Sequence, residues 1–209
     1  MIILKKVLIT GGQGDIAQAI EKKLLSFENQ YEVRRPGKGE MDVTSVRSVT
    51  DYLDDFVPDV LINNAGYVLP QSIKDCNIES EKKTFEINLF GTFNCASAVL
   101  SKNKNVKIIN IGSSAATKIH GTWSSYCSAK AAVVMATKCW AEDGIDAVCL
   151  SPGRTATKMR KGLYPNEDQK TLLNPDDFAV IVLYAIQGKY ASGEHINVNL
   201  QNVEELINA

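Results

Sequence analysis

Short apolar runs rich in β-branched residues alternate along this chain with longer segments of helical period, and that alternation restricts the fold more than any other feature. A strand that gives way to a helix before the next strand builds βαβ units and a parallel sheet. Val7-Leu8-Ile9 reads as the first strand, followed by a glycine-rich turn and a helix from about Ile16 to Ser26. Tyr31-Glu32-Val33 reads as a short second strand, and Thr44 as the cap of a helix running to about Phe56, its hydroxyl accepting from first-turn amides. Asp59-Val60-Leu61-Ile62 is a third strand, ending at Asn63-Asn64-Ala65-Gly66. A long helix is expected from about Glu79 to Lys102, with Phe85, Leu89, Phe93 and Ala96 on one face. Val106 to Ile111 is the next strand. A helix follows from Ser124 to Trp140, striped by Ala129, Val133, Ala136 and Trp140. Asp146 to Leu150 is again a strand, stopped by Ser151-Pro152-Gly153. Pro175 to Gln187 reads as a helix with proline in its first turn, and His195 to Leu200 as the last strand. Six or seven strands with intervening helices describe an α/β fold, a doubly wound parallel sheet with helices on both faces.

At 209 residues the chain fits a single domain over 1–209, long enough to bury a substantial core. A formal net charge of −1 gives no reason to expect nucleic acid as a partner. The opening Met1-Ile2-Ile3-Leu4-Lys5-Lys6 has too short an apolar run for a secretory signal. No stretch approaches the roughly 20 apolar residues that cross a bilayer, so no membrane partner is expected. The five cysteines, Cys76, Cys95, Cys127, Cys139 and Cys149, are odd in number and lack a C-x-x-C pair. No metal site or disulfide frame is expected from them, and a reducing cytoplasm is the expected location. Packing is the ordinary use of such residues.

The first strand-to-helix turn reads Thr10-Gly11-Gly12-Gln13-Gly14-Asp15-Ile16-Ala17. Glycines there allow positive φ and a close approach of backbone amides to an anion. The start of the next helix directs unpaired N–H groups and a positive dipole end at a pyrophosphate. Cofactor choice turns on the end of the second strand, where an acidic residue would bind a ribose 2′-hydroxyl. Here Arg34-Arg35 follow Val33, and a guanidinium fork suits a 2′-phosphate. NADP is therefore expected, with NAD the alternative and a solvated basic loop the plain explanation. Asp42-Val43 precede the next helix, where Asp42 can accept from an adenine amino group. Asn64, Ala65 and Gly66 form a small turn able to lie along a cofactor.

Tyr126-Cys127-Ser128-Ala129-Lys130 puts a phenol and an ammonium four residues apart on one helix face. A nearby positive charge favours phenolate over phenol and lowers a tyrosine pKa from about 10. Such a tyrosine can give a proton to a carbonyl oxygen or take one from an alcohol. Alone, the spacing is common on exposed helices. Ser113 ends a strand thirteen residues earlier, at the carboxyl edge where ligands of parallel sheets bind. Asn88 lies mid-helix, a poor place for asparagine, and can hold a water or distort the helix there.

Together these residues resemble the short-chain dehydrogenase/reductase family. The matches are Thr10-Gly11-x-x-Gly14-x-x-Ala17, Asp42-Val43, Asn63-Asn64-Ala65-Gly66, Asn88, Ser113, Tyr126-x-x-x-Lys130 and Pro152-Gly153-x-x-x-Thr157, in the family's order over about residues 5 to 200. The resemblance implies a Rossmann-type fold and an Asn–Ser–Tyr–Lys tetrad acting on a small carbonyl or alcohol. Tyr126 would be the general acid/base, and Lys130 would lower its pKa and bind the nicotinamide ribose. Ser113 would hold the reacting oxygen, and Asn88 a water joined to Lys130. Gly11, Gly12, Gln13, Gly14 and Ile16 would cradle phosphates. Pro152, Gly153, Thr155 and Thr157 would border the nicotinamide. Hydride chemistry belongs to the cofactor. The resemblance also implies a homodimer or homotetramer paired through the two long helices. Two features depart from the family pattern. Asp15 stands where glycine is common, and it is expected to point away from the cofactor. The segment after Thr157, expected to form a short substrate lid at about 154–174, is brief.

Arg154, Lys158, Arg160 and Lys161 suit an anionic substrate such as a phosphorylated sugar or polyol, or else form a solvated basic face. The segment 154–157 with Thr171-Leu172-Leu173 is similar, more loosely, to ribulose-phosphate reductase-like domains of surface polysaccharide synthesis. Two other classes remain open: a non-catalytic nucleotide-sensing Rossmann protein, which needs no tetrad, and a sugar-nucleotide epimerase or dehydratase, whose large C-terminal substrate region has no room here. His120 is a loop histidine that can line the site.

Overall fold

The computed structural model describes residues 4–209; Met1, Ile2 and Ile3 of the N-terminal apolar run lie outside the described residues. Among the described residues, six strands form one sheet: β1 (Lys5–Ile9), β2 (Tyr31–Arg34), β3 (Val60–Asn63), β4 (Lys107–Ile111), β5 (Ala147–Pro152) and β6 (His195–Val198). They lie in the order β2-β1-β3-β4-β5-β6, every pair parallel. The order reverses at β1, whose neighbours are β2 on one side and β3 on the other. A crevice opens there at the carboxyl ends of the strands, as expected of a doubly wound sheet. The helices are α1 (Asp15–Leu25), α2 (Val46–Asp55), α3 (Ile78–Phe85), α4 (Gly91–Lys102), α5 (Ser124–Glu142), α6 (Lys158–Leu163), α7 (Pro175–Ile186) and α8 (Val203–Asn208).

Alternation along the strands divides the core into two layers. Val7, Ile9, Val60, Ile62, Ile109, Val148 and Leu150 pack against Ile20 and Leu24 of α1 and Phe178 and Val182 of α7. Leu8, Leu61, Ile108 and Ala147 face Val49 and Leu53 of α2 and Cys95 and Val99 of α4. Coverage on both faces is why the central strands β3, β4 and β5 read as mostly apolar runs. α7 starts where the sequence places it, with Pro175 in the first turn and the Asn174 side chain accepting from the Asp176 amide at 2.9 Å.

Two expectations are corrected. Ser45, not Thr44, caps α2, its hydroxyl accepting from the Ser48 amide at 3.2 Å. Thr44 is instead bound to Asp42, donating its hydroxyl to Oδ1 at 2.8 Å. The long helix is continuous but contains a π-helical turn, Glu86–Phe90, between α3 and α4. The wider turn shifts the phase of everything after it. After the turn the buried face is Thr92, Cys95, Ala96 and Val99, which keeps Ala96 where it was expected, while Phe93 is 41% exposed and meets the Trp140 ring edge-on at 5.1 Å. The short helices α6 and α8 carried no clear periodicity.

All five cysteines are free thiols, with Cys95 and Cys149 buried. Among the described residues no helix is long and apolar enough to cross a membrane.

Candidate active site

One cleft of about 530 Å³ opens at the carboxyl ends of the central strands and runs from the glycine turn to α6. At its nucleotide end, Gly11 has φ +65°, and a Cβ there would fall 2.8 Å from the Ala65 backbone. A Cβ on Gly12 would fall 1.9 Å from the Arg35 carbonyl oxygen, so no larger residue fits. Gly14 caps α1 with no side-chain acceptor, which leaves first-turn amides open to an anion. The buried Thr10 hydroxyl joins the two turns, accepting from the Asn64 amide at 3.0 Å and the Ala65 amide at 2.9 Å. Asn64 Nδ2 donates to the Thr10 carbonyl at 2.9 Å.

Gly11, Gln13, Gly14, Ile16, Asp42, Val43, Asn64, Ala65 and Gly66 all line this cleft. Gly12, Arg34 and Arg35 do not. Gly12 is buried beneath the 35–36 backbone, to whose Pro36 carbonyl its amide donates at 2.9 Å. Arg35 turns inward, pairing with Glu21 and donating to the Gly12 carbonyl at 2.6 Å. Arg34 lies over the Phe56 ring at 4.5 Å. The exposed cation that lines the cleft here is Lys38, whose ammonium is 3.6 Å from the Asp42 carboxylate. Against burial, which would raise it, the Thr44 amide and hydroxyl and Lys38 hold the Asp42 carboxyl below its ordinary value. Asp42 is therefore ionised and able to accept a hydrogen bond.

The opposite end of the cleft is bordered by the ends of β4 and β5 and by α5. Ser113 follows β4, its hydroxyl accepting from the Ala115 amide at 3.1 Å. Tyr126 and Lys130 stand one turn apart on α5, the ammonium 5.9 Å from the phenol ring centre. Lys130 is 4% exposed and donates to the Ile111 carbonyl at 2.9 Å. Desolvation pulls its pKa down to about 8, with Cys149 acting the other way. The Tyr126 phenol is pushed up by burial, which the neighbouring Ser113 hydroxyl offsets only in part. This departs from the expected lowering. The lysine ammonium donates to a backbone carbonyl, and desolvation outweighs everything else that acts on the phenol. A buried chain pins α5 to the sheet: Asn63 Nδ2 donates to Asn110 Oδ1 at 2.9 Å, and Asn110 Nδ2 to the Thr137 hydroxyl at 2.9 Å.

Asn88 is fully buried in the π-helical turn and lies outside the cleft lining. Its amide nitrogen donates to the Tyr67 carbonyl at 2.6 Å and the Thr84 carbonyl at 2.8 Å, and its oxygen accepts from the Tyr67 amide at 3.2 Å. The side chain fastens the helix to the loop after Gly66, and all its reach is used there.

Pro152, Gly153, Thr155 and Thr157 line the far wall. Thr157 caps α6, accepting from the Arg160 amide at 3.1 Å. The Asp15 carboxylate accepts from the Lys158 amide at 2.6 Å and lies 3.9 Å from its ammonium. Asp15 is thus tied to α6 while still lining the cleft, where it was expected to point away. Arg154 and Arg160 both bind Glu167, at 3.0 and 2.6 Å. His120 and Trp123 also line the cleft.

Residues 38–168 match the sequence profile of the short chain dehydrogenases. The chain is 31% identical over 156 residues to a 2,3-dihydro-2,3-dihydroxybenzoate dehydrogenase of Bacillus subtilis, a match covering 63% of this chain and 60% of that protein. It therefore spans less than two thirds of that relative's length. An uncharacterized oxidoreductase of Staphylococcus epidermidis is 28% identical over 223 residues, 93% of this chain and 94% of the relative. A solved small-chain dehydrogenase in complex with NADPH superposes with a TM-score of 0.83 at 22% identity, covering 94% and 97% of the two chains, and shares the fold. With that profile matched across the segment that carries Ser113, Tyr126 and Lys130, the chain belongs to the short chain dehydrogenase family.

Proposed function

We propose that this chain is an NADP(H)-dependent reductase or dehydrogenase that moves hydride between nicotinamide and a small carbonyl or alcohol. The observation that carries the reading is one cleft lined by Ser113, Tyr126 and the buried Lys130 at one end and by the glycine turn at the other. The dinucleotide, when bound, supplies the hydride. Open amides at the start of α1, with Gly11, Gln13, Gly14 and Ile16, suit its pyrophosphate. Asp42 and Val43 border the adenine, and Asn64, Ala65 and Gly66 support the middle of the cofactor. Pro152, Gly153, Thr155 and Thr157 close the nicotinamide end.

Tyr126 delivers its hydroxyl proton to the carbonyl oxygen, and Ser113 donates a hydrogen bond to that oxygen. Lys130 binds ribose hydroxyls and steadies the phenolate that proton delivery leaves behind. Asn88 acts as a positioning residue, since its bonds to Tyr67 and Thr84 fix the loop beside the site. NADP rather than NAD is supported by Lys38 at the adenosine end and by NADPH in the solved small-chain dehydrogenase of the same fold. Arg34 and Arg35 keep their positive charge nearby but reach the cleft only by moving. A reducing, cytoplasmic setting is part of the same reading, resting on an odd number of cysteines with no C-x-x-C pair. Exposed Phe90, Phe93 and Met135 on the long helices support a homodimer or homotetramer paired there.

The phosphorylated-sugar reading has lost half of its charge, because Arg154 and Arg160 share the Glu167 carboxylate and Lys158 lies beside that of Asp15. NADPH and NADH consumption against a panel of carbonyls tests the proposal. Oxidation of NADPH by at least one carbonyl supports it, and none with any carbonyl leaves nucleotide sensing in its place.

A further inference from the structure

The substrate end of the cleft is aromatic. Trp123 stands directly before α5, and its ring meets that of Tyr126 edge-on, 5.6 Å between centres at 84°. The indole therefore borders the space where a carbonyl oxygen meets the Tyr126 hydroxyl. The ring of Trp123 is held from two more directions, by His120 at 5.3 Å and by Tyr164 stacked at 6.4 Å. Arg160, already bound to Glu167, lies over Tyr164 at 3.9 Å and keeps that ring in place. Across the cleft Tyr67 carries the Lys83 ammonium over its ring at 4.7 Å, and Met159 and Leu163 of α6 add apolar lining.

A polyhydroxylated sugar needs hydrogen-bond partners for each buried hydroxyl, and this wall offers few. A flat ring needs only area and an aromatic edge or face. Resting on the reductase reading above, we propose that the substrate is a ring-bearing ketone of aryl or cyclic enone type, or its alcohol, packed against Trp123. In the reduction, hydride passes from NADPH to the carbonyl carbon while the Tyr126 proton passes to the carbonyl oxygen, giving NADP⁺ and the secondary alcohol; solvent then reprotonates Tyr126. A ketose phosphate would instead place its phosphate in the shallow recess of about 220 Å³ beside Lys118 and Arg154.

The test measures kcat/KM for 1-tetralone, 2-butanone and ribulose 5-phosphate with NADPH, followed by NADPH fluorescence. The expected result is 1-tetralone at least tenfold above both others. In Trp123→Ala the 1-tetralone to 2-butanone ratio falls about tenfold, which is about 1.4 kcal/mol, while Trp123→Phe keeps the ratio within threefold. Trp123→Leu serves if the alanine variant does not fold. Preference for ribulose 5-phosphate, or a ratio unmoved by both Trp123→Ala and Trp123→Leu, overturns the inference and leaves the reductase reading standing. No NADPH oxidation with any of the three, nor with the wider carbonyl panel, overturns both.

Discussion

The Lys130 ammonium donates to the Ile111 carbonyl at 2.9 Å from a site where the lysine is 4% exposed. That bond fixes the amine at the end of β4, beside the cleft, instead of on the phenol one turn away. Burial disfavours the charged form of each group, so the amine and the phenol shift in opposite senses. Burial lowers the lysine to about 8 and raises the tyrosine. In the ligand-free protein the tyrosine thus rests as a neutral phenol, the form that can deliver a proton.

A stability consequence follows for Lys130. Its folded pKa of about 8 lies below the ordinary 10.5, so between those values the unfolded chain binds more protons. The burial cost is fully present below pH 8 and is relieved as pH rises towards 10.5. Relative to Lys130→Met, the ligand-free wild type should gain on the order of 3 kcal/mol between pH 7 and 10.5. Urea unfolding of both proteins across that range measures it; parallel curves would mean that the lysine is not desolvated.

Cofactor choice should follow Lys38 instead of the arginine pair. Lys38→Glu should lower the ratio of NADPH to NADH kcat/KM at least tenfold, because it sets a carboxylate where a 2′-phosphate would lie. Arg35→Ala should mainly cost stability, about 1–3 kcal/mol, since it leaves Glu21 and the Gly12 carbonyl without their partner. Selectivity lost with Arg35→Ala but kept with Lys38→Glu would return the role to the guanidinium.

Asp15 links α1 to α6 through the Lys158 amide. A hydrogen bond to a charged acceptor is worth about 1.5–3 kcal/mol. Asp15→Ala should therefore speed hydrogen exchange of the Lys158 amide by at least tenfold, with the amides of α1 beyond its first turn unchanged. Equal protection in both proteins would show that α6 is held by other contacts.

Much of this was legible in the residues. The strand–helix alternation located every described strand, most plainly β3, β4 and β5, which are covered on both faces and so are mostly apolar, while the edge strands β2 and β6 carry polar residues. That Ser113, Tyr126 and the Gly11 turn would share one cleft was legible because each sits at a strand end or on a helix face that topology sends to one side of the sheet. Other features depended on contacts distant in sequence. Nothing near Arg35 announces Glu21 as its partner, and Lys38 reaches the cleft only because the chain turns at Pro36-Gly37. The phase of the long helix beyond Phe90 was misread because a π-turn at Glu86–Phe90 interrupts it, a distortion that periodicity averages away. Phe93 then turns outward to Trp140, and the small polar Thr92 turns in. The Asp15–Lys158 tie joins residues 143 positions apart.

The central claim is that the Tyr126 hydroxyl supplies the proton. Single-turnover NADPH oxidation by Tyr126→Phe, with the best carbonyl of the panel, tests it most directly when paired with NADPH titration. The expected result is a rate lowered by about 10²–10⁴ with NADPH affinity within threefold of wild type. A rate within a few-fold of wild type would contradict it.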